Sequence, residues 1–231
     1  MNLMQCIDLT KHYGKKTALN KLNLSVDNGR IVGLLGPNGS GKTTLIKLAC
    51  GMLSPSGGTV LIDGMNPCAE TKKEVSYLPD KDFLPMWMET GAILDMYANF
   101  FEDFDRGKAD DMLAALKLSP RERFGKLSKG TREKVQLVVT MSRNAKLYLL
   151  DEPIGGVDPA ARDYILSTII NNYAGDAAVV ISTHLIADIE KILDEAVLID
   201  QGRLIFHRSV DEIRETEGKS VDALFREVFK C

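Results

Sequence analysis

Short runs of consecutive apolar residues recur along the chain, and each is stopped by a glycine, a proline or a polar residue. Arg30-Ile31-Val32-Gly33-Leu34-Leu35, Val75-Ser76-Tyr77-Leu78-Pro79, Leu147-Tyr148-Leu149-Leu150, Ala178-Val179-Val180-Ile181-Ser182 and Ala196-Val197-Leu198-Ile199-Asp200 have the length and branched content of strands buried on both faces. Helical periodicity lies between them, from Thr44 onward, over 160–173 and over 185–193. Strands alternating with helices predict an α/β core built on a mostly parallel sheet. Ahead of that core, 3–9 and 18–26 alternate around the polar turn Lys11-His12-Tyr13-Gly14-Lys15-Lys16, which predicts a small N-terminal antiparallel β subdomain. Thr59-Val60-Leu61-Ile62-Asp63-Gly64 reads as another short strand closed by a turn.

From about 83 to 142 the apolar spacing changes to three and four residues, most clearly over 92–101 and 108–118, so this stretch is expected to be a helical subdomain inserted into the core. The tail, about 210–231, is expected to hold a pair of short helices. No internal repeat or low-complexity run breaks the chain, and 1–231 is expected to be a single domain.

Composition narrows the function classes. Hydrophobic residues make up 45% of the 231, enough for a large core, and the net charge is only -3, so no overall field draws the chain to nucleic acid or anionic lipid. The basic pairs Lys15-Lys16 and Lys72-Lys73 read as solvated surface. Cys6, Cys50, Cys68 and Cys231 have neither metal-type spacing nor a paired framework, and point to reduced thiols in a cytosolic protein. No apolar segment reaches bilayer length, so any membrane role is expected to run through a partner.

The chemistry begins at Gly36-Pro37-Asn38-Gly39-Ser40-Gly41-Lys42-Thr43-Thr44, which fits every fixed position of the phosphate-binding loop and sits between a strand and a helix. Its glycines let successive N–H groups turn toward phosphate oxygens, and the following helix adds its free N–H groups and positive dipole end. Lys42 is then placed to reach the terminal phosphates and the Thr43 hydroxyl to ligate Mg²⁺. Four apolar residues ending in Asp151-Glu152 supply a second signal, with Asp151 suited to hold the Mg²⁺ shell and Glu152 to orient or deprotonate water. A strand ending in acidic residues is common in its own right; the loop upstream is what favours the functional reading. Ser182-Thr183-His184 puts an imidazole at the end of the next strand, where a lone histidine is more often structural.

With Leu127-Ser128-Lys129-Gly130-Thr131 shortly before that acidic strand, the chain resembles the ATP-binding subunit of an ABC transporter, almost end to end. Residues 36–44 match the family's Walker A, 127–131 its signature, 147–152 its Walker B, 155–158 its D-loop, His184 its switch histidine and Tyr13 its adenine-stacking aromatic. Without the family, Tyr13 reads as an ordinary half-buried turn aromatic. The resemblance implies a P-loop NTPase core, and ATP and Mg²⁺ as cofactors. It also implies a head-to-tail homo- or heterodimer sandwiching two ATP, each nucleotide completed by Ser128 and Gly130 of the other protomer. Glu152 is then the general base, and His184 holds the γ-phosphate and water. A separately encoded transmembrane permease is the implied partner, nucleic acid is not, and the chain is expected to be cytoplasmic and peripheral on the membrane's cytoplasmic face.

Several positions depart from the family pattern. The signature is usually Leu-Ser-Gly-Gly-Gln, but here its third and fifth residues are Lys129 and Thr131. Asp80 stands where many members carry glutamine; a carboxylate still reaches Mg²⁺ or its water but cannot donate as an amide does. Gly155 replaces a common serine. The Lys129-Gly130 pair and Phe101-Glu102-Asp103-Phe104-Asp105 resemble bacterial exporter-type ATPases associated with GntR-type regulators. Phe83-Leu84-Pro85-Met86-Trp87-Met88 has two readings: core packing of the helical lobe, or the family's groove for a helix of the membrane subunit.

Readings from other classes fit less well. Ribosome-associated relatives generally carry two ATPase domains, DNA-repair relatives insert a long coiled coil for which 42–151 has no room, and a P-loop kinase or GTPase lacks the signature and switch histidine.

Overall fold

The computed structural model describes residues 2–229 apart from the side chains of 160 and 161, and among the described residues it has nine strands and nine α-helices. Two sheets result. β1 (Asn2–Tyr13) pairs antiparallel with β2 (Lys16–Asp27) on one side and β4 (Gly57–Ile62) on the other. The larger sheet runs β5 (Val75–Leu78), β6 (Leu147–Asp151), β7 (Ala178–Thr183), β3 (Ile31–Leu35), β8 (Glu195–Asp200), β9 (Arg203–Ser209). It is parallel as far as β8, and β9 closes it antiparallel.

Alternation along the parallel strands divides the core in two. Tyr148, Leu150, Val179, Ile181 and Leu198 face one apolar cluster with α6 (Pro159–Asn172) and the C-terminal helices α8 (Val210–Glu217) and α9 (Val221–Phe229). Leu147, Leu149, Val180, Val197 and Ile199 face the other, which they share with β1, β2 and helix α1 (Lys42–Ala49). Period-2 side-chain direction makes strands of continuous apolar sequence serve both layers.

The helical insertion has a core of its own. α3 (Thr90–Phe100), α4 (Arg106–Ala115) and α5 (Lys129–Met141) enclose Ile93, Leu94, Leu113, Phe124, Val135 and Val139. Leu137 and Met141 of α5 tie it to the main sheet's apolar cluster, and polar contacts both join it to the sheet and brace it internally. The Ser76 hydroxyl donates to the Thr140 carbonyl at 2.8 Å, the Phe83 N–H donates to Gln136 Oε1 at 2.9 Å, and buried Arg143 binds Asp103 Oδ1 at 2.6 Å while its guanidinium lies 3.8 Å from the Phe101 ring centre.

Some details differ from the sequence expectation. The 11–16 turn shrinks to Gly14-Lys15, because β1 continues to Tyr13 and β2 restarts at Lys16. The helix expected over 185–193 is only α7 (Ile186–Ile189) followed by a 3-10 turn at Glu190–Ile192, where the Glu190 carboxylate accepts from the Val221 and Asp222 N–H groups at 3.0 and 3.2 Å. β9 and α2 (Ala69–Glu74) were not anticipated. Cys6 and Cys50 are buried free thiols and Cys68 is half-buried and free; Cys231 lies outside the described residues.

Phe124 is fully buried at the centre of the helical lobe. Phe124→Ala is expected to cost about 3–5 kcal/mol of that lobe's stability, read as a shift of the urea or thermal midpoint; an unchanged midpoint would show that the lobe does not depend on this core.

Candidate nucleotide-binding site

The carboxyl ends of three neighbouring strands build the site, in the order β6, β7, β3. Ligands of open α/β sheets bind outside such strand ends. Gly36 leaves β3 at φ 153, and a Cβ there would lie 2.2 Å from the Ile199 carbonyl oxygen. Gly41 caps α1 in the left-handed region at φ 115, where a Cβ would lie 2.6 Å from the Ala18 carbonyl oxygen. Neither position admits a side chain without displacing backbone, so the loop lies tightly on the β8–β9 turn and β2. Gly41 offers no capping side chain and the first turn of α1 holds no acidic residue. Its N–H groups therefore remain directed at the mouth of the loop, an anion-binding arrangement.

That mouth opens on a pocket of about 550 Å³. Asn38, Gly39, Gly41, Lys42, Thr43 and Thr44 form its floor; Tyr13, Lys16 and Ala18 come from the antiparallel sheet; Asp80, Glu152, Gly155, Gly156 and His184 form the far wall. Tyr13, 47% exposed, stands at the rim, with the Lys11 ammonium over its ring at 5.4 Å from the centre. Lys16, read from sequence as solvated surface, lines the same pocket, brought there by the short Gly14-Lys15 turn.

Lys42 is buried, and its ammonium donates to the carbonyls of Gly36 at 2.7 Å and Pro37 at 3.2 Å while lying 3.7 Å from Glu152 Oε1. Burial lowers its pKa below the ordinary lysine value, against the pull of Glu152 and Asp151. The other Glu152 oxygen, Oε2, meets His184 Nδ1 at 3.1 Å, so one carboxylate joins the loop lysine to the histidine. Glu152 itself sits at φ 51, with its N–H donating to the Ser182 carbonyl at 3.0 Å. Its neighbour Asp151 is 1% exposed. Asp151 Oδ1 accepts from Ser182 Oγ at 2.6 Å and Thr43 Oγ1 at 3.1 Å, and Oδ2 has no hydrogen-bond partner. Burial raises its pKa, while the Ser182 and Thr43 hydroxyls oppose the rise.

The sequence profile of the ABC transporter family matches residues 19–155, more than half of the chain. The chain belongs to that family. The chain spans 62% and 58% of the lengths of the first two curated relatives it matches. It is 32% identical over 208 residues to an uncharacterised ABC transporter ATP-binding protein of Nostoc sp., a match covering 86% of this chain and 62% of that relative's length. It is 29% identical over 221 residues to the SkfA peptide export ATP-binding protein SkfE of Bacillus subtilis, covering 93% and 92% of the two chains. A solved ATP-binding subunit of an ABC transporter superposes with a TM-score of 0.87 at 27% identity, covering 98% of this chain and 99% of that one.

Within the cassette, Ser128 and Gly130 are placed apart from the pocket. Ser128 is the N-cap of α5, its hydroxyl accepting from the Thr131 N–H at 3.2 Å, and Gly130 follows in the first turn. Neither lines the cavity that holds Lys42 and Glu152. Sequence reasoning also passed over Ser182, which bridges β7 to Asp151; its place two residues before His184, opposite Asp151 in the parallel register, was the signal.

Lys42→Ala is expected to weaken nucleotide binding at least about tenfold, the loss of a charge-assisted phosphate contact. Titration with a fluorescent ATP analogue, with circular dichroism confirming the fold, checks this.

Proposed function

We propose that residues 1–231 form a single cassette that hydrolyses ATP to ADP and phosphate, dimerises head to tail around two ATP, and drives a separate transmembrane subunit. The observation that carries it is the split site. Lys42, Thr43, Asp80, Glu152 and His184 converge on one pocket, whereas Ser128 and Gly130 present a helix N-terminus elsewhere on the surface. A second protomer, identical or homologous, supplies the missing side. Residues 36–44 hold the phosphates and Tyr13 stacks on the base.

The residues present fit Mg²⁺. Buried Asp151 Oδ2 has no hydrogen-bond partner, Thr43 bonds the other oxygen of that carboxylate, and Asp80 lines the pocket together with Thr43. Among the described residues no group of three or more His, Cys, Asp or Glu forms a closed cage, which suits a cation that keeps waters and phosphate oxygens as ligands. Thr43, Asp80 and Asp151 would hold Mg²⁺, which when bound would supply charge neutralisation at the phosphates. Glu152 polarises the attacking water, His184 steadies Glu152 and the γ-phosphate, and Lys42 leaves the loop carbonyls for phosphate oxygens. Catalysis is then mainly positioning and charge stabilisation.

No described helix is long and apolar enough to cross a membrane. Attachment to the cytoplasmic face is therefore assigned to the partner, which docks in a cavity of about 520 Å³ where the helical lobe meets the core, lined by Met52, Tyr77, Phe83, Tyr97, Phe101 and Arg143 among others. Trp87 corrects the core-packing reading, since it is 76% exposed; it does not line this cavity, whereas Phe83 of the same stretch does. Export, in the subgroup associated with GntR-type regulators, is supported by the Lys129-Gly130 pair, residues 101–105 and the likeness to the peptide-export relative.

Glu152→Gln is expected to keep ATP binding, lower turnover by about a hundredfold or more, and trap an ATP-bound dimer visible by size exclusion; unimpaired hydrolysis would overturn the assignment of the base. Met52→Asp, at an exposed groove position, is expected to leave ATP binding intact and abolish co-purification with the transmembrane subunit.

A further inference from the structure

Lys129 occupies an unfavourable place for a lysine. It opens α5 between Ser128 and Gly130, in a first turn that holds no acidic residue, where its charge opposes the positive end of the helix dipole. Local compensation is small. Its ammonium lies 3.7 Å from Glu133 Oε1, with the lysine four residues before the glutamate, the weaker order for a helical pair, and the side chain is 69% exposed. A residue that breaks a local rule without local gain marks a functional position.

The geometry links this lysine to catalysis. A Cβ on Gly156 would lie 3.2 Å from Lys129 Nζ, so the ammonium rests against the loop that follows Glu152. Gly155 and Gly156 both line the nucleotide pocket, and Lys129, Asp80, Glu152 and Gly155 share a neighbouring cleft of about 280 Å³. Charge gives the reason for a second destination. The nucleotide pocket sets Lys16 and Lys42 against Asp80 and Glu152, with Asp151 buried beneath, so an arriving triphosphate meets more carboxylate than ammonium. Asp80 adds to that excess, and Lys129 is an exposed cation on the surface that the dimer reading brings against the site.

We propose that Lys129 is a phosphate-contacting residue acting in trans: on dimerisation its ammonium leaves Glu133 and Gly156 of its own protomer and pairs with the terminal phosphate held by the partner's loop. The proposal rests on the dimer reading above. It makes Lys129 both a latch on its own D-loop before closure and a charge donor to the partner's nucleotide afterwards.

The test compares Lys129, Lys129→Met and Lys129→Arg in the Glu152→Gln chain, measuring ATP-induced dimerisation by analytical ultracentrifugation at several salt concentrations. Lys129→Met is expected to weaken dimerisation about tenfold or more and to flatten its salt dependence, as loss of a charge-assisted contact requires. Lys129→Arg is expected to retain most of it, and ATP binding by the dilute monomer is expected to be the same in all three. Equal dimerisation by the Met and Lys chains overturns this inference alone, as does an equal loss in the Met and Arg chains with unchanged salt dependence. A parent chain that stays monomeric with ATP overturns the dimer reading and this inference with it.

Discussion

A carboxylate held where water does not reach it governs the rest of the site. Asp151 is 1% exposed, and removing such a charge from water costs several kcal/mol unless neighbouring groups compensate. The compensation comes from hydroxyls on two other elements, Ser182 on β7 and Thr43 on α1. Both depend on strand order. With β7 lying between β6 and β3, its last residues fall beside Asp151 on one side and beside the phosphate loop on the other. A different order would separate the loop from its acid, whatever motifs the chain carried. One oxygen of Asp151 is the part of this arrangement that protein atoms leave unpartnered, and it is where the proposal above puts Mg²⁺.

The same order explains what could be read from sequence. The parallel strands were legible because each is a short apolar run buried on both faces, and the phosphate loop because its glycines answer local backbone demands at Gly36 and Gly41. Pairing was less legible. β4 and β5 look alike as short apolar runs, yet β4 joins the antiparallel sheet beside β1 while β5 is the outer strand of the parallel one, a choice made by distant residues. β9 escaped notice because its half-buried pattern carries little periodicity, although the Gln201-Gly202 turn before it has the positive φ angles of a tight hairpin. Lys16 is exposed, in agreement with its reading as surface, and also lines the pocket: nothing local marks a surface lysine at a pocket rim, and only the tight turn after Tyr13 places it.

The helical lobe shows how a separate core can still report on the site. Its apolar interior is closed around Phe124, and its junction with the core is mixed: Leu137 and Met141 of α5 enter the sheet's own apolar cluster, while Gln136, Asp82, Arg132 and Arg143 form a polar side. Gln136 spans from the Phe83 backbone to the Asp82 carboxylate, two residues beyond Asp80. A junction of hydrogen bonds and ion pairs exchanges partners more readily than an interdigitated apolar one. The signature turn and the Asp80 loop are thus joined by contacts suited to rearrangement, with rigid bodies on either side.

Glu152 carries one further consequence. A non-glycine residue held at φ 51 is strained by roughly 1–2 kcal/mol, and here the strain aims a carboxylate at both Lys42 and His184. The fold is therefore less stable at the very residue assigned to the chemistry. Replacing Glu152 with glycine would relax the backbone while removing the proposed base, so under that proposal durability and turnover pull this position in opposite directions. A variant selected only for resistance to heat would drift toward a cassette that binds nucleotide and no longer cycles.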